Sequence, residues 1–276
     1  MALGQKTSGE RVGNLVHRHG EDGMNARTFL DGNKSKQSKA TLGGIPGTSR
    51  RRAPKVDRAA KLSQRQTVWL DPAAQDRLLR QQSLSDAKQG NYLEAIAGLT
   101  ILIDRNPENA TDYNNRGLVH YQCGHLEAAI EDYNEAIRLN PKLASAYNNR
   151  ANYYAAQGQL MEAIDNYEMA IDLDPTNVRA WVNQGITYRD LEMYEEAIEN
   201  FEHALQIKEL LSPNLEDNSA LEAHIYGARG RAHHLAGDWN YAIADYRRAL
   251  DRTSESDVSV KRLRSQVTRW MQELTN

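Results

Sequence analysis

The fold of this chain is decided by residues 144–177, which read ASAYNNRANYYAAQGQLMEAIDNYEMAIDLDPTN. Two apolar stripes with helical spacing flank a central glycine, and a proline follows the second stripe. Aligning the chain on this segment superposes Pro107, Pro141 and Pro175, which are thirty-four residues apart. Self-similarity at this period is typical of an array of helix–turn–helix units.

The period covers five copies, at 76–109, 110–143, 144–177, 178–211 and 223–256. Small residues recur in the middle of each first helix and early in each second helix, where they allow two helix axes to approach closely. They are Ser83, Gly117, Ala151, Gly185 and Gly230 on the first helices, and Ala95, Ala129, Ala163, Ala197 and Ala242 on the second. Glycine recurs between the helices at 90, 124, 158 and 237, as a left-handed C-cap requires, whereas the fourth copy has Glu192 there.

The pattern Tyr147-x-x-Arg150-Ala151…Gly158…Ala163…Tyr167…Ala170…Pro175 resembles the tetratricopeptide repeat, in the style of bacterial and especially cyanobacterial proteins. The resemblance implies an all-α fold, a right-handed superhelical solenoid of about five helix pairs with a C-terminal capping helix. A pair of amphipathic helices cannot bury its apolar faces alone, so neighbouring pairs must stack.

Two segments depart from a plain array. Residues Ser212 to Glu222, which contain Pro213 and a polar run, are interpreted as a surface loop between the fourth and fifth copies. At about 257–275 we expect a capping helix, because apolar residues there are three, four or seven apart. These are Val260, Leu263, Val267, Trp270, Met271 and Leu274.

The net charge of −3 conceals a basic tail joined to an acidic body. Residues 1–65 hold fourteen Lys and Arg against five Asp and Glu, whereas 66–276 hold twenty against thirty-two. The low apolar content of 1–65 predicts a disordered segment, and 66–276 then form the repeat domain. Its densest basic stretch, 50–65, is either a solubilising tail or a contact for nucleic acid, an acidic protein or an anionic surface. A transit peptide is a further alternative, which the acidic residues disfavour.

Catalytic motifs are absent from the sequence, and we expect neither an enzyme nor a cofactor. The eight histidines are interpreted as forming no metal-ligand set, with His120 as a core residue, and the single cysteine, Cys123, as a packing residue. No stretch reaches the ~20 apolar residues of a membrane span, and no secretory signal is evident. The expected location is therefore the cytoplasm.

In the tetratricopeptide family the free stripe of each first helix lines a concave groove. This stripe carries Asn115, Asn149 and Asn183, which we interpret as a ladder of solvated amides that binds the backbone of an extended peptide. The ladder resembles that in the superhelix of O-linked N-acetylglucosamine transferase. The alternative is that the asparagines belong only to the repeat consensus.

Cationic groove candidates are confined to Arg179, Arg189 and Arg231, which either receive acidic side chains of a partner or are solvated charges. The carboxylate clamp of chaperone-binding repeats uses paired Lys and Arg at places where this chain has amides and a serine. These are Asn114, Asn148, Asn149 and Ser145. The interpretation of the chain is accordingly a non-catalytic protein–protein adaptor or assembly factor, with a tail-mediated nucleic-acid or anionic-surface function as the alternative.

One polar pattern is assigned to structure. Repeat positions seven and twenty-three vary together, which predicts a hydrogen-bonded pair between the two helices of a repeat. The pairs are Arg116 with Asp132, Arg150 with Asn166, Gln184 with Asn200, and Arg229 with Asp245.

Overall fold

The computed structural model describes residues 71–211, 219–253 and 260–274. The basic tail predicted at 1–65, including 50–65, lies outside the described residues. The described chain consists of helices, in the order α1 (Pro72–Gln89), α2 (Tyr92–Arg105), α3 (Ala110–Cys123), α4 (Leu126–Leu139), α5 (Ala144–Ala156), α6 (Leu160–Leu173), α7 (Val178–Asp190), α8 (Tyr194–Leu211), α9 (Ser219–Ala236), α10 (Trp239–Asp251) and α11 (Lys261–Glu273).

The first ten helices form five antiparallel pairs, and each pair packs on the next along the chain. Within a pair the contact is extensive, and the second helix of each repeat packs on the first helix of the following one. Helix α11 covers the end of the array by packing on α10 and α9. The predicted all-α solenoid of five helix pairs with a cap is confirmed.

Local sequence explains where the helices begin and end. The Asp71 carboxylate accepts a hydrogen bond from the Ala74 amide at 2.8 Å, and Pro72 occupies the first helical position. At the C-terminal end of α3, Gly124 has φ +90° and the His125 amide donates to the His120 carbonyl at 2.8 Å. This is a Schellman motif, which requires a left-handed residue and therefore favours glycine.

The fourth repeat adopts the same left-handed turn without a glycine, because Glu192 has φ +63°. A side chain in this conformation costs about 1–2 kcal/mol relative to a right-handed one. Glycine would remove that strain, although it loses more backbone entropy on folding. The departure from glycine at position 192 therefore leaves Glu192 in a strained backbone conformation.

We expect Glu192→Gly to raise the free energy of unfolding by about 0.5–1 kcal/mol, as measured by urea denaturation. The matched control is Gly158→Ala, where φ is +76° and a new Cβ would meet nothing within 4 Å. Since only backbone conformation differs there, that variant should lose a similar amount. A Glu192→Gly protein less stable than the parent would contradict this explanation.

Close approach of the paired helices is confirmed, and it involves an aromatic ring. A Cβ added to Gly117 would lie 2.9 Å from the ring of Tyr133, and one added to Gly230 would lie 2.8 Å from that of Tyr246. Both tyrosines are fully buried. Contacts this short leave no room for a methyl group, so the small residues set the spacing of the helices.

Three of the four predicted polar pairs between repeat positions seven and twenty-three are present. Arg116 donates to both oxygens of Asp132 at 2.9 and 2.7 Å, and Arg229 to both of Asp245 at 2.7 and 2.9 Å. The Arg150 guanidinium donates to the Asn166 amide oxygen at 2.8 Å. In repeat four the prediction is wrong: the buried Asn200 oxygen accepts no hydrogen bond from the described residues, and the Asn200 nitrogen donates to the carbonyl of Glu196.

The interpretation of Ser212 to Glu222 as a loop is wrong at its C-terminal end. Helix α9 begins at Ser219, so the fifth repeat has a first helix of 18 residues. The Glu222 carboxylate pairs with Lys208 of α8 and, at 2.5 Å, with Arg252 after α10. These two ion pairs anchor the first turn of α9 to its neighbours; residues 212–218 lie outside the described residues.

The capping helix is shorter than the predicted range, and its apolar stripe packs as expected. Leu263, Val267 and Trp270 are buried, and Met271 and Leu274 are partly buried against the same core cluster. The Trp270 ring lies 6.0 Å from the Tyr246 ring, with 28° between their planes. The cap therefore closes the core of repeat five.

Candidate functional site

A chain of asparagine side chains connects the first helices of repeats two, three and four. It comprises Asn114 on α3, Asn148, Asn149 and Asn152 on α5, and Asn183 on α7, and it includes Asn115 of α3 by its repeat position alone. We call this set the amide chain. Asn149 donates to the Asn114 oxygen at 2.9 Å, and Asn183 donates to the Asn152 oxygen at 3.0 Å. Amides of successive repeats are thus bonded to each other across the helix boundary.

The expectation of a solvated ladder at Asn115, Asn149 and Asn183 is corrected by their burial. Asn149 is 9% exposed and Asn183 is 2% exposed, whereas Asn115 is half-buried. Two of the three amides therefore also support the packing of neighbouring first helices. The physical reason is the closeness of successive first helices, which brings each buried amide against the next.

Asn152 is a member of the chain that the sequence interpretation omitted. It lies three residues after Asn149 and so on the same helix stripe, which was the available signal. Its oxygen accepts from the Tyr167 hydroxyl at 2.7 Å as well as from Asn183. Burial raises the pKa of Tyr167 well above its usual range, so the hydroxyl remains a donor.

Three buried atoms of the amide chain have no hydrogen-bond partner among the described residues. They are the oxygens of Asn148 and Asn183 and the side-chain nitrogen of Asn152. A buried amide group that lacks a partner costs about 1–3 kcal/mol. The amide chain thus retains two unpartnered acceptors and one unpartnered donor. These atoms can pair with the N–H and C=O groups of an extended peptide backbone.

The three arginines proposed for the groove are in different environments. Arg179 is exposed. The Arg189 side chain is only 4% exposed and pairs with Asp190 at 2.6 Å. Arg231 donates to Glu273 at 3.1 Å, and its guanidinium lies 5.3 Å from the centre of the Trp270 ring. Arg189 and Arg231 are therefore not solvated charges, and Arg231 fastens the capping helix.

The turn of repeat two brings together three side chains that the expectation of no metal-ligand set did not consider as a group. Potential ligand atoms of His120, Cys123 and His125 all lie within 4.8 Å of one another. In the sequence these residues form the spacing His-x-x-Cys-x-His around Gly124, a signal that considering each histidine alone overlooks.

No helix among residues 71–211, 219–253 and 260–274 is both long enough and apolar enough to cross a membrane.

Family models identify the repeats independently. A model described as TPR repeat matches residues 117–158, and one described as tetratricopeptide repeat matches 142–209 and 176–255. Together the matches span half of the chain. The geometry defines a helical-repeat solenoid, and these matches assign the chain to the tetratricopeptide-repeat family.

Solved structures share this fold. The chain is similar to MamA (21% identity, TM-score 0.52, covering 64% of this chain and 91% of that one). It is also similar to MamA 41-end from Desulfovibrio magneticus RS-1 (18% identity, TM-score 0.54, 66% and 97% covered) and to pilF of Pseudomonas aeruginosa (18%, 0.56, 72% and 90%). At these identities the likeness concerns the fold. A sequence search of curated proteins finds no match.

Proposed function

We propose that this protein is a non-catalytic adaptor that binds an extended segment of another protein along the amide chain. The observation that carries the proposal is the set of unpartnered amide atoms on Asn148, Asn152 and Asn183. An extended peptide offers alternating N–H donors and carbonyl acceptors, which match these atoms whatever its side chains are. Recognition of this kind depends on the backbone groups of the bound peptide.

These atoms are buried, so binding requires the amides to rearrange. The terminal torsion of an asparagine is broad, which permits such a rotation, and the hydrogen bond between Asn152 and Asn183 would be exchanged for bonds to the peptide. The exposed guanidinium of Arg179, next to Ala180 on the first helix of repeat four, adds a contact for an acidic side chain of the partner. Arg189 and Arg231 would contribute to the shape of the surface through their existing pairs.

The test begins with peptides selected from a random displayed library on the purified protein, followed by isothermal titration. We expect Asn115→Ala combined with Asn148→Ala to weaken a selected peptide about 5-fold to 100-fold, since each lost hydrogen bond is worth about 0.5–1.5 kcal/mol. N-methylation of the bound peptide amides should weaken binding comparably. A thermal melt of each variant separates lost binding from lost folding.

The matched control is Asn240→Ala, which removes an exposed amide from the second helix α10. It should bind the selected peptides as the parent does. Peptides that tolerate both the double substitution and N-methylation would contradict backbone recognition by the amide chain. Substitution of Asn149 or Asn183 is less informative, because both also bond neighbouring helices.

A further inference from the structure

The turn between α3 and α4 assembles three side chains that bind transition metals. The Schellman motif at Gly124 folds the chain back so that His125 lies against the last turn of α3, which carries His120 and Cys123. The two imidazole rings are 5.6 Å apart between centroids. The arrangement is local, since six consecutive residues and one left-handed glycine produce it.

The distances within this group match the edges of a tetrahedral metal site. His125 Nδ1 lies 3.4 Å from His120 Nδ1 and 3.4 Å from Cys123 Sγ. With Zn–N of about 2.0 Å and Zn–S of about 2.3 Å, tetrahedral geometry gives N–N and N–S separations of about 3.3 and 3.5 Å. Two of the three distances between ligand atoms therefore match a tetrahedral site with almost no movement of the side chains. The third, between His120 and Cys123, is within 4.8 Å.

The surroundings favour ligation by His120. Its Nε2 lies 4.0 Å from Asp132 Oδ2, beyond hydrogen-bond distance, so the carboxylate that pairs with Arg116 is near the ring when Nδ1 faces the metal. Metal-bound imidazoles commonly hydrogen-bond to a carboxylate through the other ring nitrogen, and a small movement of the His120 ring would form that bond.

A fourth coordination position is accessible from one side. A cavity of about 330 Å³ borders Cys123 and His125, and its other wall is the turn of repeat one, including Glu94. Protein sites with three ligands leave a position for water or an incoming group. Thiolate and imidazole together select zinc over magnesium or calcium, which prefer oxygen ligands.

We propose that His120, Cys123 and His125 bind one zinc ion at the turn of repeat two. The proposal is independent of peptide binding by the amide chain. The fifth repeat supplies an internal comparison, because Gly237 forms the same turn and brings Asp238 Oδ2 to 3.5 Å from His233 Nδ1. Ala236 stands there in place of the cysteine, so the turn alone does not create the site.

The experiment is a titration of the untagged full-length protein with Co²⁺, a coloured substitute for zinc, under reducing conditions. We expect one Co²⁺ per chain, with a thiolate-to-cobalt absorption band in the near ultraviolet and the visible bands of a tetrahedral ion, both abolished by Zn²⁺. Cys123 is the single cysteine of the chain, so the thiolate band reports on this site alone. Zn²⁺ should also raise the melting temperature.

Substitution of each proposed ligand tests which side chains bind the metal. Cys123→Ser should remove the thiolate band, and His125→Asn and His120→Asn should each weaken Co²⁺ binding at least about 10-fold. Circular dichroism verifies that each variant folds; the exposed position of His125 makes its variant the safest. Asp238→Asn, at the matching turn of repeat five, should bind Co²⁺ as the parent does. An absent thiolate band, undiminished binding by His125→Asn, or two chains per cobalt would each overturn the proposal.

Discussion

Replacing Asp245 with alanine is expected to lower the free energy of unfolding by about 3 kcal/mol, because the half-buried Arg229 loses its bidentate carboxylate partner and keeps only a contact of 3.4 Å to Glu202. The Asp245 side chain is 1% exposed and accepts two hydrogen bonds from Arg229 and one, at 2.8 Å, from Arg248. Burial opposes the charge on Arg229, yet the hydrogen bonds to Asp245 and the charges of Asp245 and Glu202 together more than offset this effect and raise the pKa of Arg229. Denaturation in urea measures the loss.

Two further variants test the reason for this loss. Asn166→Ala removes the equivalent partner in repeat three, where the acceptor is neutral and Arg150 keeps a bond to Asn134 at 2.9 Å. That variant should lose only about 1 kcal/mol. Replacing Arg229 with Met together with Asp245 with Leu should recover most of the stability, since a well-packed apolar pair can substitute for a buried ion pair. Equal losses for Asp245→Ala and Asn166→Ala would refute the charge argument.

Trp270→Ala should be comparably damaging, with an expected loss of about 3–5 kcal/mol for a buried tryptophan. The ring is fully buried, stacks on Tyr246 and supports the guanidinium of Arg231. In a repeat array each unit is stabilised by its neighbours, so damage to the cap should loosen the last repeat first. Hydrogen exchange should therefore accelerate in α9 and α10 more than in α3 and α4.

The matched control is Trp239→Ala, which removes a ring that is 63% exposed at the start of α10. Its effect on the urea midpoint should be within about 0.5 kcal/mol, as for most surface substitutions. Uniform exchange changes along the array in the Trp270→Ala protein would show that the cap does not act locally.

The sequence predicted features that depend on local chain geometry. Glycine at a left-handed turn and small residues between paired helices each reflect a constraint within one repeat. A repeat multiplies such signals, so the helix pairs and the capping stripe could be identified. The polar pairs could be predicted for the same reason, because two positions of the repeat vary together within one chain. They hold Arg116 with Asp132 in one repeat and Arg229 with Asp245 in another.

Tertiary structure decided which of the polar side chains are exposed. Asn149 and Asn183 occupy the predicted stripe, yet their burial depends on the distance between successive first helices, which no single repeat specifies. The pairing of Arg231 with Glu273 likewise depends on where the capping helix lies, 42 residues further along the chain.

By itself, then, the sequence determined the repeat, the turns between its paired helices and the stripe that carries the amides, since all three follow from spacing along the chain. Only the folded structure showed that the amides bond across repeats and leave acceptors on Asn148 and Asn183 unpartnered. It also brought His120 and His125 together around Gly124. The physical reason is common to both cases: hydrogen bonding and metal ligation require distances of a few ångströms between side chains, and those distances are set by packing and by the path of the turn.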